Sequence, residues 1–147
     1  MSNFRSFLSQ ALCILRFPIL VFVINIVFEA KGIYYVLPWI DIPMHFVGGA
    51  SIAPAGGSFL ALLQKQGLIN DLPFWLRSLF LMSFVGLAAV SWELWEFSID
   101  VVFDKHLQED LFDTMIDMFL GLSGGLVAST LWIVFRKPKV LSSSKGR

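Results

Sequence analysis

The sequence predicts an all-α, polytopic membrane protein: a bundle of about four transmembrane helices with N- and C-termini cytoplasmic. Three observations carry this reading. Of the 147 residues, 56% are hydrophobic, and the mean hydropathy is +0.74, whereas a soluble domain is about 45–50% apolar. Only 15% are charged, against about 25% in an ordinary soluble domain, too few to wet a compact surface. The apolar residues are also gathered into four runs, each near the roughly 20 residues a helix needs to cross the hydrocarbon core.

Those runs cover about 11–28, 42–63, 74–99 and 112–135. Within lipid the backbone must satisfy its own hydrogen bonds, so each run is expected to be a helix. Pro18 and Pro54 fall inside spans, where a ring without an N–H kinks a helix. Pro38, Pro43 and Pro73 stand near starts, where proline is tolerated. The first run follows Arg5, as a cleaved signal would, but Phe28 and Ala30 make a poor small-x-small cleavage pattern. An uncleaved anchor is the better expectation. One transmembrane domain is expected over 1–139, with a disordered cytoplasmic tail over 140–147. Cys13, the single cysteine, excludes an intrachain disulfide and is expected to be a small buried hydrophobe.

Charge placement sets the expected orientation. Arg5, Arg16, Lys65, Arg77, Arg136, Lys137, Lys139, Lys145 and Arg147 fall on one side, and Lys31 and Lys105 on the other. The side rich in Lys and Arg is cytoplasmic by the positive-inside rule. The carboxylates run the opposite way. Asp71 alone lies on the inner side, and every other Asp and Glu falls toward the outer one. Topology depends little on Asp and Glu, so this clustering calls for another cause.

Three pairs stand out within it. Asp41 and His45 begin the second span, Glu93 and Glu96 end the third, and Asp113 and Asp117 begin the fourth. Residues three or four apart share a helix face, and antiparallel neighbours bring the pairs to one depth. The same faces continue as small residues: Gly49, Ala53 and Gly57 after His45, Gly121, Gly125 and Ser129 after Asp117, and Ala89 and Gly86 inward from Glu93. Small-xxx-small rows let membrane helices approach closely, so the acidic pairs are expected to point into the bundle. Intramembrane charge is costly unless paired or functional. A divalent cation (Zn, Mn, Fe or Mg) suits a set of carboxylates with one imidazole.

Simpler roles compete for some of these residues. Asp41, Asp110 and Asp113 suit helix caps and the positive end of a helix dipole. That account fails for Glu93 and Glu96, near a helix C-terminus, and for His45 and Asp117, a turn inside their helices. For these four the alternative is interhelical hydrogen-bond glue. Trp39, Trp92, Trp95, Trp75 and Trp132 are expected in the interfacial aromatic belts. Asp100, Asp104, Lys105, His106 and Glu109 read as a solvated loop or its edge.

The order Asp41-xxx-His45, Gly48-Gly49, Trp92-Glu93-xx-Glu96 and Asp113-Thr114-xx-Asp117 resembles that of the YjdF-like bacterial inner-membrane proteins. It is more loosely similar to the VanZ-like membrane proteins linked with glycopeptide resistance. The likeness covers roughly residues 35 to 130, and the chain is shorter than members with extra spans. It implies a bacterial inner-membrane location and a set of positions, Asp41, His45, Glu93, Glu96, Asp113 and Asp117, without supplying a reaction.

Two functional classes follow from the residues, with a structural or accessory membrane subunit as the third reading. One is a metal-dependent enzyme at the outer interface, acting on a lipid-linked or small polar substrate, with Glu93 or Glu96 as general base and the other constellation residues as ligands. The other is an ion or proton carrier, although the inner half of the helix faces lacks ionisable partners. The expected partners are the lipid bilayer and a second copy of the chain. The charge distribution contains no basic patch of the kind nucleic acid requires.

Overall fold

In a computed structural model, which describes residues 2–108 and 110–135, the chain is a helical bundle with no strand among the described residues. Four long helices account for it: α1 (Ser2–Ala30), α3 (Asp41–Lys65), α4 (Phe74–Phe103) and α5 (Leu111–Phe135), with one short turn of helix, α2 (Ile33–Val36), after α1. Each long helix contains a stretch apolar enough to cross a membrane, and each exceeds the roughly 30 Å hydrocarbon thickness at about 1.5 Å per residue. All four coincide with the expected spans and extend beyond them by up to several residues. Glu109, Arg136, Lys137, Lys139 and the tail at 140–147 lie outside the described residues, as does the side chain of Arg5.

Local chemistry explains where the helices stop. Gly67 follows α3 at φ 72°, donating to the Gln64 carbonyl at 3.0 Å, while Leu68 N–H reaches back to the Leu63 carbonyl at 3.1 Å. This is a Schellman closure, which needs a left-handed residue that glycine adopts without strain. Pro73 precedes α4 in extended geometry, as expected for a residue that cannot donate. Asp110 accepts the Asp113 N–H at 2.9 Å and so caps α5. Asp41 does not cap α3: it is already helical, and no side-chain bond closes that terminus. Its carboxylate turns instead toward His45.

The tightest packing joins α3 to α5. His45, Gly49, Ala53 and Gly57 of α3 are buried, as are Asp117, Gly121, Gly125 and Ser129 of α5. A Cβ at Gly49 would overlap the Gly121 carbonyl, and one at Gly124 would overlap the Phe46 carbonyl. The two backbones are therefore in direct contact, which the small-residue rows permit. Val85 of α4 fills the space over Gly125, and Trp132 lies over Gly57.

The outer surface is apolar, with Leu87, Leu94, Phe119 and Val134 among many exposed large side chains, as lipid contact requires. Helix α1 rests on α3 and buries little of itself. Cys13 is consequently exposed, not buried: an apolar run on a peripheral membrane helix presents most of its residues outward.

Candidate metal centre

The polar residues meet at the end of the bundle where α3 and α5 begin and α4 nears its end. His45 stands at the middle, 6% exposed. Its Nε2 lies 3.4 Å from Asp41 Oδ1 and 3.8 Å from Asp117 Oδ2, and its Nδ1 lies 3.7 Å from Glu93 Oε1. Two groups of three side chains hence share this imidazole, Asp41–His45–Asp117 on one side and His45–Glu93–Glu96 on the other. The ligand atoms of each group lie within 4.8 Å of one another. These gaps are long for hydrogen bonds. They are close to the ~3.4 Å that separates two ligands bound at ~2.1 Å with tetrahedral angles.

Burial makes the charge imbalance matter. Glu93, Glu96 and Asp117 are 6%, 8% and 4% exposed, and no Lys or Arg lines the adjoining cavities among the described residues. Glu93 Oε1 is buried without a hydrogen-bond partner, an arrangement that costs its full desolvation unless something occupies the space before it. The other carboxylate oxygens are better served. Gln108 donates to Glu93 Oε2 at 3.0 Å and to the Glu93 carbonyl at 3.2 Å. Trp92 Nε1 donates to Glu96 Oε1 at 2.9 Å.

The structure brings together five of the six expected positions. Asp113 lies a turn nearer the start of α5 and lines the adjoining cavity, outside both groups of three. Several contributors went unread in the sequence. Trp92 belongs to the centre and is not only an interfacial ring: it packs tilted against His45 with centroids 5.5 Å apart. Its place beside Glu93 and four before Glu96 was a usable signal. Gln108 had none, because it sits fifteen residues from Glu93 in a loop. That loop is held by Asp100, which accepts the Leu107 and Gln108 N–H groups at 2.8 and 3.0 Å, so Asp100 organises the loop's backbone. Between α1 and α3, the Tyr34 hydroxyl donates to Asn25 Oδ1. Burial and then the nearby Asp41 push that hydroxyl's pKa above its usual range, so it stays a donor.

A cavity of about 420 Å³ opens onto the centre beside Asp41, Glu96 and Asp117. A second, of about 390 Å³, reaches His45 and Asp117 from between α1, α3 and α4. A family described as "Predicted membrane protein (DUF2238)" matches residues 3–138. The chain belongs to this family. The family's description agrees with the four apolar helices and specifies no reaction. No curated protein and no solved structure matches the chain.

Proposed function

We propose that the protein is a metal-dependent membrane enzyme whose centre lies near the outer face of a bacterial inner membrane. The observation that carries this is the meeting of four carboxylates and one imidazole from three helices, with no Lys or Arg lining the adjoining cavities among the described residues. Asp41, His45 Nε2 and Asp117 would hold the cation, and Asp41 and Asp117 line the cavity beside Glu96. A metal on Nε2 requires the ring proton on Nδ1, which faces Glu93. Glu93 thereby orients the ligand, as outer carboxylates do at histidine-bound metals.

A metal bound there would lower the pKa of a coordinated water and polarise a phosphoryl or carbonyl oxygen. Glu96, pinned through one oxygen by Trp92, keeps its other oxygen for the water's proton. In hydrolysis of an ester, Glu96 would take the proton of the attacking water and return it to the leaving oxygen. A carrier role is less well supported, because below the centre the facing stripes of α3 and α5 carry no ionisable side chain and their backbones touch at Gly49–Gly121 and Gly124–Phe46.

Metal analysis of detergent-purified protein, with Mn²⁺ titration followed by electron paramagnetic resonance, tests this reading. Asp41→Asn and Asp117→Asn are expected to abolish binding, and Glu93→Gln to weaken it about 10- to 100-fold. A wild-type protein that neither retains metal nor binds added Mn²⁺ or Zn²⁺ rules it out. Metal whose loss lowers thermal stability in a protein without hydrolytic activity toward membrane esters supports an accessory subunit instead.

A further inference from the structure

The two cavities that meet at the centre differ in chemistry. The one at the Asp41 end is lined by Glu29, Asp110 and Asp113 as well as the centre's own Asp41, Glu96 and Asp117, and by the rings of Tyr34, Trp39 and Trp95. The other is apolar, walled by Phe22, Ile52, Val85, Ala88 and Trp92 until it reaches His45 and Asp117. Phe22 stands edge-on to Trp92 and Trp95, at centroid distances of 5.6 and 5.2 Å. Asp117 and Trp95 line both cavities, so the spaces adjoin at the centre. Protein interiors are close-packed, and each space is of the size that holds a ligand.

Carboxylates interleaved with aromatic faces suit an ammonium group, which both attract. The same carboxylates repel a head group whose only charge is negative. A small polar substrate makes no use of the apolar cavity. Along one path the site therefore presents an ammonium pocket, a cation centre and a hydrocarbon slot.

We propose that the site receives a zwitterionic phospholipid, with its ammonium in the acidic aromatic cavity, its phosphate at the carboxylate–histidine centre and one acyl chain in the apolar cavity. The order of groups along the lipid matches the order of environments along the protein. The phosphate contact rests on the metal reading above, since an anion approaches these carboxylates only across a cation. The chain and ammonium contacts rest on the cavities themselves.

Photolabelling in nanodiscs tests this, using phosphatidylethanolamine and phosphatidylglycerol probes of identical chain length with a diazirine in one acyl tail. The ethanolamine probe is expected to label Phe22, Ile52 or Ala88 about fivefold more than the glycerol probe, the scale of one cation–aromatic contact. Ala88→Phe and Ile52→Trp, which fill the slot, are each expected to remove that labelling, with thermal unfolding reporting that each variant is folded. Glu29→Gln combined with Asp110→Asn is expected to erase the preference between head groups. Labelling confined to the lipid-facing Leu87 and Leu94, labelling that persists in both filled variants, or equal labelling by the two probes overturns the proposal. Mn²⁺ resonance in the same discs separates the two readings: tail labelling without Mn²⁺ binding rejects the metal centre and the phosphate contact, and upholds the slot.

Discussion

The seam between α3 and α5 is one surface with two chemistries. At its Asp41 end the facing side chains are Asp41, His45 and Asp117, separated by gaps of 3.4 and 3.8 Å. Further along, glycine meets glycine and the backbones touch. Both halves follow the same four-residue spacing, yet they do opposite work. The glycine half gains dispersion contacts from close approach, the main source of helix association where lipid is as apolar as the protein. The polar half costs stability, because buried carboxylates outnumber the groups that neutralise them. A fold selected for stability alone would carry the glycine pattern to the end of the seam. The proposed centre lies at this polar end.

The sharpest way to break this contrast is in the glycine half. Gly49→Ala drives a Cβ into the Gly121 carbonyl, so the helices must part, and a loss of about 3 kcal/mol is expected. Gly121→Ala makes only ordinary contacts, with Ala89 Cβ at 3.5 Å. It is expected to be neutral to stabilising by up to about 1 kcal/mol, since alanine favours the helix. Thermal or denaturant unfolding in detergent of the two variants side by side checks the pair. Equal effects would mean that α3 and α5 do not approach as closely as the seam requires.

The proposed metal would act on the other half. At about a hundred times its Kd, a bound cation is expected to stabilise the wild type by about 2.7 kcal/mol and His45→Ala not at all, as thermal shifts with and without a chelator will show. Without metal, Asp117→Asn is expected to raise stability by up to about 2 kcal/mol, because it removes a buried charge from an overloaded group. A lower melting temperature for metal-free Asp117→Asn would make the polar end structural glue. The smallest effect concerns Trp92→Phe, which keeps the ring against His45 and Phe22 but removes the donor to Glu96. A cost of about 1 kcal/mol is expected, measured by the same unfolding assay.

Much of the fold was legible because hydropathy and helical periodicity are local. The runs at 42–63 and 112–135 became α3 and α5 almost residue for residue, and the stripes from His45 and Asp117 are the buried faces. Legibility fell where a residue's role depended on a partner distant in sequence. Asp41 reads equally as a cap or as a member of the constellation and faces His45, and Cys13 reads as buried and is exposed because α1 is peripheral. Asp100 looked like part of a loop edge and holds the backbone that presents Gln108.

By itself, then, the amino-acid sequence determined that the chain forms four apolar helices, and that its carboxylates gather at one end on the faces lined with small residues. Only the tertiary structure decided which carboxylates share His45, which oxygen of Glu93 is left unpartnered, and that two unlike cavities adjoin at Asp117. The reason is geometric. A helix face is set by spacing along one chain segment, whereas a binding site is set by ångström distances between side chains on different helices. Those distances depend on how each helix is turned and raised within the bundle. In this protein the contact of Gly49 with Gly121 sets that register for α3 and α5.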